Sequence, residues 1–254
     1  MPLILAMVAM IVTHDARADP TAPNNLRYEI VSMHAHDVAA FTQGLAFWGD
    51  ELIESRGGFG ASAITLGTVG RAVRKRRDLA REHFGEGVAV AGERALQLTW
   101  QSGRALVYDR ELQPVGEFRY RGEGWGLAHD GAHWITSDGT DRLMWRRERD
   151  FGVAREVRVR DRGRPVRQLN ELEFADGRIY ANVWHSDRVA VIDPVSGAVE
   201  AWIDFSALRK GFAKPPGWDE REHVLNGLAW HAKTGRWFVT GKRWPVLYEI
   251  RLLK

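Results

Sequence analysis

The sequence predicts an all-β fold, a five-bladed β-propeller, because one short unit recurs five times along its 254 residues. Each unit starts with an apolar segment that has a glycine or an acidic residue near its head, and it soon runs into a turn. The unit starts are spaced 39 to 56 residues apart, which is the period of a propeller blade. Neighbouring blades bury each other's sheet faces, so the repeat itself specifies the fold. The five segments begin at Gln43, Glu86, Trp125, Asn170 and Asn226.

Further apolar runs inside each unit predict four antiparallel strands per blade. In the second unit these are Arg94–Trp100, Ala105–Asp109 and Gly116–Tyr120, each bounded by turn residues. The last unit ends at its third run, Val246–Arg251, whereas Tyr28–Val31 near the N-terminus has no unit of its own. We therefore expect Tyr28–Val31 to complete the last blade and close the ring, which removes exposed sheet edges.

The N-terminus predicts a signal peptide over residues 1–18, followed by a single catalytic domain over residues 19–254. The apolar stretch Pro2–Val12 is too short to span a membrane, and Ala16–Ala18 has the small-x-small pattern of a cleavage site. We expect a periplasmic or secreted protein without stable membrane association. The alternative is a retained membrane anchor.

Composition narrows the classes of function. A hydrophobic content of 44% supports one all-β core. The chain has no cysteine, which excludes a thiol nucleophile and a thiolate metal site. The basic run Arg71–Arg77 falls where the outer strand of the first blade is expected, and basic residues there discourage edge pairing. No recognition helix accompanies this run, so we expect no nucleic-acid partner. We also expect a monomeric protein.

Blade geometry locates a candidate site at one mouth of the central channel. The innermost strand of each blade starts at this mouth, and the second strand returns to it. The strand-one set is Gln43, Glu86, Trp125, Asn170 and Asn226. The strand-two set is Glu54, Trp100, Asp138, Trp184 and Lys242. Polar residues ringed by tryptophans predict a concave pocket for a small ligand.

Nine short motifs around these positions occur in one order along the chain. They are Phe41–Leu45, Phe84–Gly87, Gln97–Trp100, Gly122–Leu127, Ser137–Gly139, Gly163–Val166, Leu169–Glu173, Ala181–Trp184 and Thr240–Pro245. This set resembles the glutamine cyclotransferases of plant and bacterial type over Tyr28 to Leu252. The resemblance implies a five-bladed propeller that converts the N-terminal glutamine of peptides or proteins to pyroglutamate and releases ammonia.

The chemistry of that reaction suits two residues. The α-amine must attack the side-chain amide of the same residue, so one group has to move a proton between the two nitrogens. Glu86 is the only carboxylate of the strand-one set, and the resemblance assigns the acid/base role to it. Its neighbour Phe84 gives it an apolar setting that would raise its pKa. Lys242 can hold the developing oxyanion. The alternatives are a structural carboxylate and a solvated loop lysine.

Other residues of the two sets are expected to bind the substrate. Amide side chains exchange hydrogen bonds without adding charge. The tryptophans would exclude water and fold the glutamine side chain back onto its amine, unless they only pack between blades. The resemblance adds two phenylalanines from its motifs. The predicted substrate-binding residues are Phe41, Gln43, Phe84, Trp100, Trp125, Asn170 and Trp184.

Two segments depart from the repeat or from the family motifs. Ala61 stands where the family often has a polar side chain. How the substrate amine is held, and which peptides are selected, therefore stay open at the level of sequence. The Lys-, Pro- and Gly-rich excursion Ser206–Glu222 accounts for the longest spacing. It either overhangs the pocket as a lid or forms a surface loop.

Two other functions remain open at the level of sequence. A calcium-dependent propeller hydrolase or lactonase would use Glu86, Asn170 and Asn226 as ligands. Calcium needs several oxygen ligands, however, and the strand-one set also contains neutral Gln43 and bulky Trp125. The second alternative is a binding propeller without catalysis. The cyclisation as argued needs no cofactor and no metal.

Overall fold

The computed structural model describes residues 24–253, so the predicted signal peptide at residues 1–18 lies outside the described part of the chain. Within residues 24–253 the fold is all-β, with 22 strands and one short helix. The first strand is β1 (Asn24–Ala35). No helix within this range is long and apolar enough to cross a membrane.

Three antiparallel sheets of four strands each follow one another along the chain, and in each sheet the strands keep their chain order. The first contains β2 (Thr42–Trp48), β3 (Glu51–Arg56), β4 (Ala63–Gly67) and β5 (Lys75–Asp78). The second contains β6 (Gly85–Ala91), β7 (Arg94–Thr99), β8 (Arg104–Tyr108) and β9 (Pro114–Arg119). The third contains β10 (Leu127–His129), β11 (His133–Ser137), β12 (Arg142–Arg147) and β13 (Val153–Arg158).

The rest of the chain forms a small hairpin and one larger sheet. The hairpin is β14 (Arg160–Asp161) with β15 (Arg164–Pro165). The larger sheet begins with β16 (Leu169–Ala175), β17 (Arg178–Val183), β18 (Arg188–Ile192) and β19 (Val199–Asp204). After helix α1 (Ser206–Lys210) come β20 (Leu225–His231), β21 (Arg236–Gly241) and β22 (Val246–Leu253). The strand order of this sheet is β16-β17-β18-β19-β1-β22-β21-β20.

The N-terminal strand β1 joins the two ends of the chain. It pairs antiparallel with β22, with Tyr28 opposite Leu252 and Ile30 opposite Ile250. The expected pairing of Tyr28–Val31 beside the last strand is therefore present. On its other side, β1 makes a short parallel pairing with β19, in which Asn24 lies opposite Ala201. This parallel pairing merges two four-stranded units into the eight-stranded sheet.

The strands β2, β6, β10, β16 and β20 contact one another in a closed cycle: β2 with β6, β6 with β10, β10 with β16, β16 with β20, and β20 with β2. The approach is close enough to require glycine. A Cβ atom on Gly44 would lie 2.4 Å from the backbone nitrogen of Val88, and one on Gly126 would lie 1.8 Å from the carbonyl oxygen of Asn170. The sheets thus surround a common centre, as in a propeller.

Glu171 extends across this centre from β16. Its two carboxylate oxygens accept hydrogen bonds from the backbone nitrogens of Leu45 in β2 at 3.3 Å and Leu228 in β20 at 3.0 Å. Burial raises the pKa of Glu171 well above its usual value, although these two bonds oppose the shift. The side chain therefore links three of the inner strands by hydrogen bonds.

Hydrophobic clusters fill the spaces between neighbouring sheets. Trp48 and Tyr108 pack between the first and second sheets, and Trp145 and Ile179 pack between the third sheet and β17. Three further clusters occupy the remaining junctions, including that between the last unit and the first sheet. Burial of large apolar side chains on both faces of each sheet holds the sheets around the centre.

Replacing Gly126 with alanine tests the close approach of the inner strands. The added methyl group would overlap the Asn170 carbonyl, and overpacking typically costs about 1–3 kcal/mol. We expect the melting temperature to fall by about 3–10 °C. Gly116→Ala is the control, because no atom lies within 4 Å of its added Cβ. An equal change in the two variants would contradict the packing argument.

Candidate active site

A cavity of about 290 Å³ opens where the inner strands begin, and we call it the central cavity. All nine residues that the sequence predicted to act in catalysis or substrate binding line it, together with Glu222. Its lining residues are Phe41, Gln43, Phe84, Glu86, Trp100, Trp125, Asn170, Trp184, Glu222 and Lys242. Three of the eleven tryptophans stand here, whereas the other eight pack in the hydrophobic clusters.

A β-bulge recurs near the start of the inner strands. The pairing register shifts between Thr42 and Gly44 in β2, and corresponding shifts bracket Glu86 in β6 and Asn170 in β16. A bulge breaks the ladder and re-aims the side chain of the extra residue. Gln43, Glu86 and Asn170 lie within these irregular stretches and line the central cavity, whereas Asn226, at the corresponding shift in β20, does not. The sequence repeat indicates where these irregularities occur.

The second group of wall residues directly follows the second strand of a unit. Trp100 comes after β7, Trp184 after β17 and Lys242 after β21. Backbone bonds fix these positions. The Trp100 nitrogen donates to the Phe84 carbonyl at 2.9 Å, and the Lys242 nitrogen donates to the Val224 carbonyl at 2.9 Å.

The prediction that Glu54 lies at this mouth of the channel is wrong. Thr42 pairs with Arg56 across β2 and β3, so the residue equivalent to Trp100 is Gly57, three positions later. Glu54 lies inside β3, where its carboxylate accepts a hydrogen bond from Thr42 at 2.7 Å and pairs with Arg56 at 2.9 Å.

Asp138 and Asn226 do not line the central cavity either. Asp138 occupies the equivalent position, but its carboxylate pairs with Arg142 at 2.8 Å. The Asn226 amide donates to the Thr42 carbonyl at 2.9 Å and to Oε1 of Gln43 at 3.2 Å. Asn226 therefore orients Gln43 from behind.

Glu86 is buried in the wall of the cavity. Its Oε1 atom accepts a hydrogen bond from Nε2 of Gln43 at 2.9 Å. Burial raises the pKa of Glu86 well above its usual value, and nearby Glu123 adds to the shift while Lys242 opposes it. The carboxyl group is thus poised to hold and release a proton far above the pH at which an exposed glutamate does so.

Lys242 is the buried cation of the cavity. Burial lowers its pKa, while the negative charges of Glu86 and Glu222 oppose the shift. Its Nζ atom lies 4.9 Å from the ring centre of Phe41 and 5.9 Å from that of Trp184, so two aromatic faces attract it. No ion pair holds Lys242 among the described residues, which leaves its donors available to a ligand.

Glu123 is a residue that the sequence analysis missed. Its Oε2 atom accepts hydrogen bonds from the indole nitrogens of both Trp100 and Trp125, at 2.8 and 2.9 Å. Burial would raise the pKa of Glu123, but these bonds and one from Gln101 lower it overall. One carboxylate thus sets the orientation of two walls, and Trp184 packs edge-on against Trp125 with ring centres 5.5 Å apart.

Asn170 supplies an open acceptor. Its Oδ1 atom is buried and has no hydrogen-bond partner among the described residues. A buried polar atom without a partner is costly, so such an atom in a cavity wall indicates a ligand group that satisfies it. An N–H group of a bound amide or amine fits this acceptor.

Glu222 brings the excursion Ser206–Glu222 to the site. The excursion contains the helix Ser206–Lys210, and its last residue lines the central cavity. The only sequence signal for this contact was that the segment lies next to Asn226 in the chain. The segment therefore contributes to the cavity wall as well as to the surface.

Within residues 24–253 no cluster of three or more His, Asp or Glu side chains has the arrangement of a metal site. The cavity instead combines one buried carboxyl group, one buried ammonium group, two amides and five aromatic rings. Such a set can hold a small polar molecule, move a proton and stabilise a developing negative charge.

The fold and the cavity define a propeller-like protein with a buried aromatic pocket built for acid–base chemistry. A family model described as glutamine cyclotransferase matches residues 3–252. The chain therefore belongs to the glutamine cyclotransferase family, which confirms the resemblance of its motifs.

Individual relatives agree with this assignment. The chain is 41% identical over 232 residues to the glutaminyl-peptide cyclotransferase of Arabidopsis thaliana, a match that covers 88% of this chain and 71% of the relative. The crystal structure of Myxococcus xanthus glutaminyl cyclase superposes with a TM-score of 0.83 at 38% identity, covering 91% of this chain and 98% of the other.

A more distant structural match concerns the fold alone. The WD40 β-propeller domain of Doa1 has a TM-score of 0.50 at 11% identity, covering 81% of this chain and 62% of the other.

The raised pKa of Glu86 has a measurable effect on stability. An acid whose pKa is higher in the folded state binds its proton more tightly there, so its contribution to stability is lost as the pH rises from about 4.5 through the folded pKa. Glu86→Gln keeps the neutral form at every pH. We expect the melting temperature of this variant, relative to wild type, to increase between pH 4.5 and pH 9. A difference that stays constant over this range would contradict the shift.

Proposed function

We propose that this protein is a glutaminyl-peptide cyclotransferase with a five-bladed propeller fold, in which Glu86 transfers protons. The observation that carries the proposal is the buried Glu86 carboxyl group, which shares an aromatic cavity with Gln43 and Lys242. The family membership supports the same reaction. The closed cycle of inner strands and the pairing of β1 with β22 support the five-bladed count.

The reaction is an intramolecular acyl transfer. The neutral α-amine of the N-terminal glutamine attacks the carbon of its side-chain amide, and a C–N bond forms while the carbonyl oxygen gains negative charge. The tetrahedral intermediate then expels the amide nitrogen, which leaves as ammonia, and the carbonyl is restored in the pyroglutamyl ring. The attacking nitrogen loses one proton and the leaving nitrogen gains one, so the protons balance.

One carboxyl group that alternates between its two forms can carry this proton. Burial raises the pKa of Glu86 well above that of an exposed glutamate, so the carboxyl group can hold a proton as well as release one. Gln43 donates to one oxygen of Glu86 and so leaves the other oxygen for the substrate nitrogens. Lys242 stabilises the oxyanion, because a buried cation without an ion pair interacts strongly with a charge that develops beside it.

The remaining wall residues position the substrate. The open Oδ1 atom of Asn170 accepts an N–H of the substrate. Trp100 and Trp125, held by Glu123, exclude water and keep the glutamine side chain folded against its amine. Preformed near-attack geometry of this kind accelerates intramolecular reactions by a large factor.

The calcium-dependent hydrolase is a poorer match to these residues. Asn226, one of its three expected ligands, does not line the central cavity, and its amide nitrogen donates to Thr42 and Gln43. Lys242 places a buried positive charge where the cation would bind. We therefore propose a reaction without metal or other cofactor.

Several properties beyond the chemistry belong to the same proposal. We propose that residues 1–18 direct export, and that residues 19–254 act as one domain in the periplasm or outside the cell. The proposed substrates are peptides and proteins with N-terminal glutamine. We propose that the protein binds no nucleic acid, since its dense basic run, Arg71–Arg77, lies around the outer strand β5. We also propose that it is a monomer without stable membrane association.

The direct test of the function is incubation with a glutamine-initiated dipeptide, followed by mass spectrometry for the loss of one ammonia. Glu86→Gln keeps the shape of the side chain but cannot shuttle a proton, so we expect kcat to fall by about 10²–10⁴-fold. Lys242→Met should reduce kcat less, because the oxyanion keeps other partners. Retained folding is checked by thermal melting. Near-normal turnover of Glu86→Gln would overturn its role, and binding without ammonia release by the wild type would indicate a non-catalytic propeller.

Exhaustive chelation tests the metal-independent mechanism. Because no step uses a Lewis acid, we expect the chelated and dialysed enzyme to keep most of its activity on the same dipeptide. Activity that disappears on chelation and returns with calcium or zinc would support a metal-dependent enzyme instead.

A further inference from the structure

A second groove adjoins the central cavity, and we propose that it binds the residues following the N-terminal glutamine and favours acidic ones. This arginine groove, of about 350 Å³, is lined by Phe41, Gly57, Gly58, Phe84, Arg76 and Arg243, among others. The inference rests on the proposed function, because a cyclotransferase must hold a peptide whose first residue alone enters the central cavity.

On the side of this groove the Phe84 ring forms the wall of the central cavity, in the place of a side chain that follows the second strand. After the second strand, other units carry the large side chains of Trp100, Trp184 or Lys242, whereas the first sheet has Gly57. A Cβ atom on Gly57 would lie 2.3 Å from the Phe84 ring, so no side chain fits there.

Phe41 and Phe84 line both the central cavity and the groove, which therefore adjoin at these two rings. Ala61 also lines the groove. The position that departs from the family motif therefore lies where the peptide would leave the central cavity.

The groove is positively charged. Arg56, Arg76 and Arg243 line it, and no aspartate or glutamate is among its described lining residues. Arg56 is neutralised by buried Glu54 and by Asp37. Arg76 pairs with Asp78, whose side chain is exposed. Arg243 has no ion pair among the described residues. The groove is thus complementary to acidic side chains.

The backbone conformation of Arg243 recurs at equivalent positions of other units. Arg243 has a φ of 58°, in the left-handed region that disfavours residues other than glycine. The corresponding residues after β3 and β11, Gly58 and Gly139, have a positive φ as glycines. The Arg243 nitrogen donates to the Ala40 carbonyl at 2.7 Å, which fixes the strained backbone. His185, the corresponding residue after β17, has a φ of 62°, so the conformation belongs to the repeat, and in the last unit it brings Arg243 to the lining of the groove.

A wider cavity of about 610 Å³ offers another exit for the peptide. It shares Phe41 and Glu222 with the central cavity, and Arg243 lines it as well. Its walls include the carboxylates of Asp219 and Glu222, which repel an acidic peptide. Arg76 lines only the arginine groove, so a variant at this position separates the two exits.

The experiment compares three amidated peptides, Gln-Glu-Glu-Ala, Gln-Ala-Ala-Ala and Gln-Lys-Lys-Ala, by ammonia release. We expect the wild type to have the highest kcat/KM for the acidic peptide and the lowest for the basic one. Arg76→Glu and Arg243→Glu should each reduce the acidic-to-basic ratio by about two- to fivefold, the size of a partly exposed ion pair. The change should fall mainly on KM, because these side chains take no part in the reaction.

Arg162→Glu is the matched control. Arg162 is also an exposed arginine with a left-handed backbone, at a φ of 49°, but it lines neither groove. It should leave the ratio unchanged.

Equal use of acidic and basic peptides by an active wild type overturns the groove proposal and leaves the proposed function standing. A ratio that responds to Arg243→Glu but not to Arg76→Glu also overturns it, in favour of the wider cavity. If the wild type releases ammonia from none of the three peptides, the proposed function fails first.

Discussion

The close approach of the inner strands around the common centre is the constraint on which the rest of the structure depends. It allows no side chain at Gly44 or Gly126, because a Cβ atom there would overlap the next strand. Regular pairing breaks at the same place, and Gln43, Glu86 and Asn170, which lie within these bulges, line one cavity. The polar part of the site thus depends on how the sheets meet, and the excursion Ser206–Glu222 adds Glu222 to its wall.

Burial gives this site its electrostatic character. The same low-dielectric surroundings raise the pKa of Glu86 and lower that of Lys242, since each charged form loses its hydration. Each group also favours the charged form of the other, so neither can be changed without affecting its partner. The acid and the cation therefore act as one coupled unit.

Much of the fold and the site could be predicted because position within a repeat is visible in sequence. Glu86 stands at the start of the first strand of its unit and Lys242 just after the second strand of its own, and the structure brings both into the central cavity. Glu54 was misplaced because the length of β3 sets the register, and a repeat alone does not show where a strand ends. Glu123 acts through the indole nitrogens of two tryptophans, and Glu222 comes from a segment with no counterpart in the other units. Contacts of that kind follow from three-dimensional placement and leave no periodic signal.

The cavity costs stability that the rest of the molecule must offset. It holds a buried lysine without an ion pair and the Oδ1 atom of Asn170 without a partner, and both are unfavourable in the absence of substrate. Large apolar side chains such as Trp145 and Tyr248 are fully buried between the sheets and supply the opposing free energy. Because those clusters lie away from the cavity, the polar groups can stay unsatisfied until a ligand arrives without the sheets separating. A substrate that satisfies Asn170 and pairs with Lys242 thus recovers interactions that folding left open, and this recovery is a physical source of its binding energy.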